Sequence, residues 1–497
     1  MLGVPAAPAP AGQVLRAGDA VVLPGVVDTH VHVNEPGRTE WEGFLSASRA
    51  AALGGVTTVV DMPLNSIPPT TSVEALEVKR RAARSAGMLA SPASGGRGAG
   101  LRRTGGGSGA AAAGHAPGSG AQGGSGGALA CDIGFWGGAV PGNEDDLEPL
   151  WDAGVFGFKC FLADSGVPEF PPLGPDELLV AMDRLARFGG LMIVHAEDPA
   201  VLAAAPARPG PAYADFLVSR PEEAETAAVA RLLDVVRETG TRTHVLHVSS
   251  ARVLDLLAEA KAEGLPVTAE TCHHYLTIAA EDVPAGDPAF KCCPPIRDRG
   301  NQDALWDGLR DGILDCVVSD HSPATVTEKY GAKRRGEVDL QQAWGGISGL
   351  QTGFVVLADA ARRRGVPLAD VSRWTSRATA ALVGLDTADR PKGVIAEGAA
   401  ADLLVYRPGE TRTIEAAGLA HRNPISAYDG RTVDGSIHAT ILGGHIVADA
   451  ISDAVAHGEL DDGARHPVPD FEHVRGGGRL LARPGSDPAW QTGEETP

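Results

Sequence analysis

The chain has 497 residues, 43% of them hydrophobic, and a formal net charge of −20. That length holds one large domain plus a smaller one, and the charge argues against nucleic acid or an anionic membrane as the main partner. No apolar run of about 18 residues reads as a membrane span. The start, MLGVPAAPAPAG, lacks a basic n-region and an apolar h-region, so no secretory signal is expected. The six cysteines form no CxxC pair, which reads as reduced cytosolic thiols.

Strand-like runs begin with VVDTHVHV (26–33) and VTTVVDMP (56–63), then CDIGFWGGAV (131–140) and VFGFKCFL (155–162). LMIVHAED (191–198), THVLHVSS (243–250), VTAETCHHYL (267–276) and DCVVSDHSP (315–323) complete the series. Amphipathic segments such as AETAAVARLLDVVRETG lie between most of them, several closed by Gly, a helix C-terminal signal. Near-continuous hydrophobic strands alternating with helices predict a parallel sheet covered on its faces. Eight such units predict an α/β fold, a closed (β/α)8 TIM-type barrel over residues 25–390. A doubly wound open sheet is the alternative, but no GxGxxG follows the first strand.

Residues 91–130 interrupt the order with a Gly/Ala/Ser-rich stretch that has almost nothing to bury and reads as a flexible insert. Its place between a helix and a strand puts it on the N-terminal face of the barrel, away from an active site. Beyond residue 390 the pattern shifts to short alternating strands, PKGVIAEGAAADLLVYRP and SIHATILGGHIVAD. These predict a small β-sandwich domain formed from 1–24 and 391–460, its N-terminal part short. Residues 461–497, rich in Pro, Gly and charge, read as a poorly ordered tail.

Ionisable residues collect in the C-terminal halves of the barrel strands: His30 and His32, Lys159, His195, His244 and His247, His273 and His274, Asp320 and His321. That is the end where barrel active sites are built. His30 and His32 are two apart and share a face, so both can hold one metal. His244 and His247 are three apart. Strand parity therefore lets only one point inward, and His247, nearer the strand end, is the candidate ligand; His244 is assigned to the helix-facing layer. Of Asp320 and His321 the carboxylate is the inner candidate, because a metal cluster needs anionic charge and a base. Lys159 sits alone in an apolar strand. Two readings stay open for it: an ion pair with a nearby acid, or a free amine that takes up CO2 and becomes a carbamate able to bridge two cations.

DTHVHV (28–33), the lysine in GFKCF, VHAE, LHVSS and SDHSP together resemble the cyclic amidohydrolases of the amidohydrolase superfamily. HVNEPGRTEWEGF (32–44), DMPLNSIPPTT (61–71), FKCFLADSGVPEFPPL (158–173) and KCCPPIRD (291–298) are similar to its allantoinase branch. The resemblance runs from about residue 21 to 450, excluding the insert. It implies that His30, His32, Lys159 as its carbamate, His195, His247 and Asp320 hold two divalent metal ions, commonly Zn2+, with Co2+ or Mn2+ as alternatives. It also implies a cytoplasmic homo-oligomer, a homotetramer, acting on a small molecule with no nucleic acid or membrane partner. Asn34 stands where dihydroorotases carry an arginine for a substrate carboxylate, and Asp164 where hydantoinases carry an oxyanion-donating tyrosine. The asparagine suits an uncharged ring better, both departures point toward allantoin, a ureido-hydantoin, and the implied reaction is its hydrolysis to allantoate. In it Asp320 moves a proton from the attacking water to the leaving nitrogen, and Asn34 and the backbone around Cys293 bind the substrate. A hydantoinase-type activity and an inactive assembly partner are the alternatives.

Overall fold

The computed structural model describes residues 17–89, 129–334, 336–449 and 474–486. β1 (Val21–Pro24) runs straight into β2 (Val26–Val31) through Gly25. A Cβ at Gly25 would lie 2.4 Å from the Thr57 side chain, so only glycine allows this close crossing. β3 (Val56–Asp61), β4 (Asp132–Phe135) and β5 (Gly137–Gly138) follow, then β6 (Phe158–Phe161) and β7 (Leu191–His195). β8 (Arg242–Val245), β9 (Val267–Cys272) and β10 (Cys316–Val318) complete the parallel set.

β2, β3 and β4 form one parallel sheet and β5 to β10 another. Trp136 alone separates β4 from β5, so they are one bent strand. At the other seam Val31 bridges His321 in parallel, and the His32 N–H donates to the His321 carbonyl at 2.8 Å. The eight-stranded circle therefore closes as a barrel. Helices wrap it, including Pro175–Phe188 and Glu222–Thr239, which end on Gly189 and Gly240 in the left-handed region. Asp198 and Asp298 cap the helices that follow them, accepting from Val201 N and Asn301 N at 2.8 Å each. The main core lies between strands and helices, with residues such as Met192, Val194, Met182 and Leu232 fully enclosed.

β11 (Lys333–Arg334) and β12 (Glu337–Val338) make a small hairpin on the C-terminal side of the barrel. β13 (Leu403–Thr413), β14 (Thr432–Leu442) and β15 (His445–Asp449) join β1 in an antiparallel sheet ordered β1-β13-β14-β15. Both chain ends thus contribute to it. Among the described residues this is a single layer, and helices cover it where a second sheet would lie in a sandwich. Tyr406 meets Phe354 of helix Gly353–Arg363 edge-on at 5.4 Å, and the Thr440 hydroxyl donates to Ala52 O of helix Phe44–Leu53 at 2.5 Å.

The Gly/Ala/Ser-rich insert lies outside the described residues up to 128; its last two residues, Leu129 and Ala130, are buried. Residues 474–486, which the sequence places in a poorly ordered tail, run beside β4. Ile133 N donates to Arg479 O at 2.9 Å and Leu481 N to Ile133 O at 2.8 Å. Arg483 stacks over Trp151 at 3.6 Å. The local sequence gives no sign of this pairing because the segment borrows its ladder from a distant strand. No helix among the described residues is long and apolar enough to cross a membrane.

Candidate metal centre

The polar ends of β2, β6, β7, β8 and β10 meet at one point above the barrel. His30 Nε2 lies 3.1 Å from Asp320 Oδ1 and 3.5 Å from Lys159 Nζ. His32 Nε2 lies 3.6 Å from the same Asp320 oxygen. His195 Nδ1 faces His247 Nε2 at 3.0 Å, and the His30 and His247 rings are 5.4 Å apart. All six side chains are buried. The structure thus gathers every ligand candidate read from the sequence into one cluster.

Their electrostatics suit a cation. Burial holds His32 down to about 3 and keeps His195 and His247 below the ordinary imidazole range, so their rings are neutral with a free lone pair. Burial would also neutralise Asp320, but His30 and hydrogen bonds from His30 and His32 outweigh it and keep the carboxylate ionised. Burial acts on His30 too, yet Asp320 and Glu270 overcome it and raise its pKa. Lys159 is lowered by burial to about 8, against the pull of Asp320 and Glu270. Among the described residues Lys159 has no carboxylate within ion-pair distance, so the paired-acid reading lacks a partner.

Neutral imidazole nitrogens facing one another, with His247 Nδ1 buried and unpartnered, form a donor set that a divalent cation would satisfy. Histidine, carboxylate and amine donors at this spacing fit a metal centre; His30, His32 and Asp320 alone offer three ligand atoms within 4.8 Å of one another.

One assignment needs correcting. Strand parity predicts His244 in the helix-facing layer; the structure places it inside the barrel. Lys159, Ile193, His244 and Thr268 are lateral neighbours across β6 to β9, and lateral neighbours in parallel strands face the same side. His247 also reaches the interior because β8 ends at Val245 and His247 takes φ 38°, which breaks the alternation. Asp320 likewise lies past the end of β10 with φ 44°.

Two carboxylates that the sequence reading passed over orient the ligands. Glu270 accepts from His30 Nδ1 at 2.5 Å and from His244 Nε2 at 3.1 Å, and His30 and His244 hold its carboxyl down to about 2 in spite of burial. Glu197 pairs with His195 Nε2 at 2.9 Å and takes Arg220 on its two oxygens. Such partners fix ring tautomer and orientation. The available signal was the one that exposed Lys159: a charge inside an apolar strand. Asn65 adds its amide 3.4 Å from His32 Nδ1.

Asn34 and Cys293 make no hydrogen bond to the cluster. Asn34 is buried, donates to Pro323 O at 3.4 Å and leaves its Oδ1 without a partner. Cys293 is half-buried beside Gly345 and precedes the cis bond to Pro294. Asp164 is exposed and accepts from Gly166 N at 3.1 Å.

Residues 21–447 match the model of the amidohydrolase family. An allantoinase of Streptomyces avermitilis is 51% identical over 442 residues, covering 88% of this chain and 87% of that relative. The Saccharomyces cerevisiae allantoinase is 41% identical, with 86% of this chain and 82% of that one covered. Among solved structures, the L-hydantoinase of Arthrobacter aurescens superposes with a TM-score of 0.75 at 27% identity, covering 94% of this chain and 90% of that one.

Proposed function

The chain belongs to the amidohydrolase family, and we propose from that premise that it hydrolyses the ring amide of allantoin to give allantoate. The observation that carries the reading is the convergence of His30, His32, Lys159, His195, His247 and Asp320 above the barrel, in a chain whose near relatives are allantoinases. We assign these six as the groups that would hold two divalent ions, zinc first and cobalt or manganese as alternatives, with Lys159 as a carbamate. When bound, the ions would make water a nucleophile near neutral pH and polarise the ring carbonyl.

The chain's own residues divide the remaining work. Burial leaves the Lys159 amine partly unprotonated near neutral pH, the form that adds CO2 and releases a proton to become an anionic carbamate. Asp320, kept ionised by its histidines, takes a proton from the attacking water and delivers it to the leaving ring nitrogen. Glu270 and Glu197 hold His30 and His195 in the tautomers that present a lone pair to the centre. Asn34, uncharged and with a free buried carbonyl oxygen, suits an N–H of a neutral ureide ring. Backbone groups around Cys293 would hold the other edge. Asp164, exposed at the rim, leaves the oxyanion to the centre itself. We further propose a cytoplasmic location, which the six unpaired cysteines support, a homo-oligomeric assembly as the family resemblance implies, and a hydrolase barrel over 25–390 with a small sheet domain from both ends.

The deciding experiment measures allantoate formation by protein loaded with zinc, cobalt or manganese, beside 5-substituted hydantoins and dihydrouracil. Turnover of allantoin well above the others is expected. A preference for hydantoins would replace this reading with the hydantoinase one, and no hydrolysis of any ring by metal-replete protein would refute both.

A further inference from the structure

The N-terminal face of the barrel, opposite the centre, holds a cavity of about 560 Å³, inside the range of roughly 300–1,000 Å³ typical of small-molecule sites. The starts of β7 to β10 form its walls, and the helical segment 373–382 closes one side. The lining is mostly aliphatic, with Leu191, Leu265, Val267 and Leu314 among it. Three arginines also line it: Arg242, Arg373 and Arg377, all exposed. Arg377 has no ion-pair partner among the described residues, and Arg242 reaches only the Gly189 carbonyl at 3.4 Å. Arg373 is ion-paired with Asp370 at 3.2 Å and lies over the Trp374 ring at 5.3 Å, which leaves Arg242 and Arg377 as the uncommitted cations. The one acid in the lining, Asp315, is already neutralised by Lys261 at 2.8 Å and by the Ala269 N–H. In a chain of net charge −20 this is a local excess of cations over an apolar hollow.

His244 belongs to the same lining. It is fully buried and bonds Thr268 at 2.7 Å and Glu270 at 3.1 Å, and Glu270 continues to His30 Nδ1. One side chain thus joins the cavity wall to the carboxylate that orients His30. We propose that this cavity binds a small organic carboxylate with an apolar body, and that His244 and Glu270 couple its occupancy to metal affinity at the opposite end of the barrel. The arginines supply charge-assisted hydrogen bonds to the carboxylate, and the aliphatic walls take the body. The coupling part rests on the metal-centre reading; the binding part does not.

Calorimetric titration of the full-length protein with benzoate, benzamide and acetate separates the contributions. Benzoate is expected to bind, with benzamide and acetate each about tenfold weaker or more, because one lacks the charge and the other the body. Arg242→Ala combined with Arg377→Ala should weaken benzoate by a similar factor and leave the melting temperature and basal turnover unchanged, since both side chains are exposed and neither is ion-paired among the described residues. Equal binding of benzoate and benzamide, no benzoate binding, or an unaltered Kd in the double variant would overturn the site. Strictly competitive displacement of benzoate by allantoin, with the apparent benzoate Kd rising without limit as allantoin is added, would place the ligand at the metal centre and also overturn the site. Coupling is read separately as the ratio of benzoate Kd values in zinc-loaded and chelator-stripped protein. By linkage it equals the effect of benzoate on zinc affinity. A ratio away from one that His244→Gln brings back to one is expected. A ratio of one in the wild-type protein would refute the coupling and leave the site standing.

Discussion

Replacing Glu270 by Gln tests how the barrel floor supports the centre. The change keeps shape and volume but removes the charge. Glu270 accepts from two imidazoles at once, His30 Nδ1 at 2.5 Å and His244 Nε2 at 3.1 Å. A glutamine oxygen can serve only one of them, and its amide turns a donor toward the other. If the donor faces His30, that ring must protonate Nε2, the nitrogen that lies 3.1 Å from Asp320, and loses its lone pair toward the centre. If it faces His244, His30 keeps its tautomer but trades a charge-assisted bond for a neutral one. A buried bond to a charged group contributes about 1.5–3 kcal/mol, which at ~1.4 kcal/mol per tenfold corresponds to a loss of roughly 10- to 100-fold in metal affinity. Competition between the protein and a calibrated chelator for zinc measures it, with thermal melting to show that the fold is kept. Wild-type zinc affinity and turnover in Glu270→Gln would mean that the carboxylate does not set the His30 tautomer, and the argument for a supporting layer would fail.

Lys159→Ala should abolish binding of one or both metals and the activity, and added short carboxylic acids should partly restore turnover by standing in for the carbamate; full metal content by elemental analysis would refute the role. His247→Asn should lower turnover on the order of 10³-fold or more, since it removes a ligand of the group that supplies the nucleophile. His244→Asn, acting only through Glu270, should fall by about tenfold, and the reverse order would refute the geometry. Lys329, buried where it donates to Pro288 O at 3.0 Å and Lys291 O at 3.1 Å, is pulled by burial from its usual 10.5 to about 7. Between those values the unfolded chain binds more protons there than the folded one, so this lysine makes stability rise with pH. The melting temperature of wild type minus that of Lys329→Met should therefore increase from pH 7 to 10, and a flat difference would show that the amine titrates normally.

Much of the fold was legible because the barrel strands are buried on both faces along nearly all their length. A strand such as VTTVVD, enclosed along its whole length, must read as a nearly unbroken apolar run, and eight such runs with helices between them leave few alternatives. The ligand candidates were legible for the same reason, since a histidine, lysine or aspartate stands out against that background. The docked segment at 474–486 was not, because its pairing with Ile133 is a long-range contact that local composition does not encode.

Strand parity, the tool that sorted His247 from His244, failed at an instructive place. Alternation is a property of extended backbone, and it holds along β8 only as far as Val245. His247 lies beyond that point at φ 38° and Asp320 beyond β10 at φ 44°, a conformation that side chains other than glycine rarely take. In both cases the backbone leaves the strand geometry at the residue whose side chain must turn inward. Non-glycine residues in that region cost on the order of 1–3 kcal/mol each and persist where the surroundings over-determine them. Here the surroundings are the cluster itself, with His195 on His247 at 3.0 Å and His30 on Asp320 at 3.1 Å. His247 and Asp320 therefore turn inward where alternation no longer applies, held by the site against the local preference of the chain, and parity misplaced His244 because it was counted back from His247 across that break. His244, inside the regular part of the strand, follows its register faithfully and so ends up beneath the centre, where it joins the barrel floor to His30 through a single carboxylate.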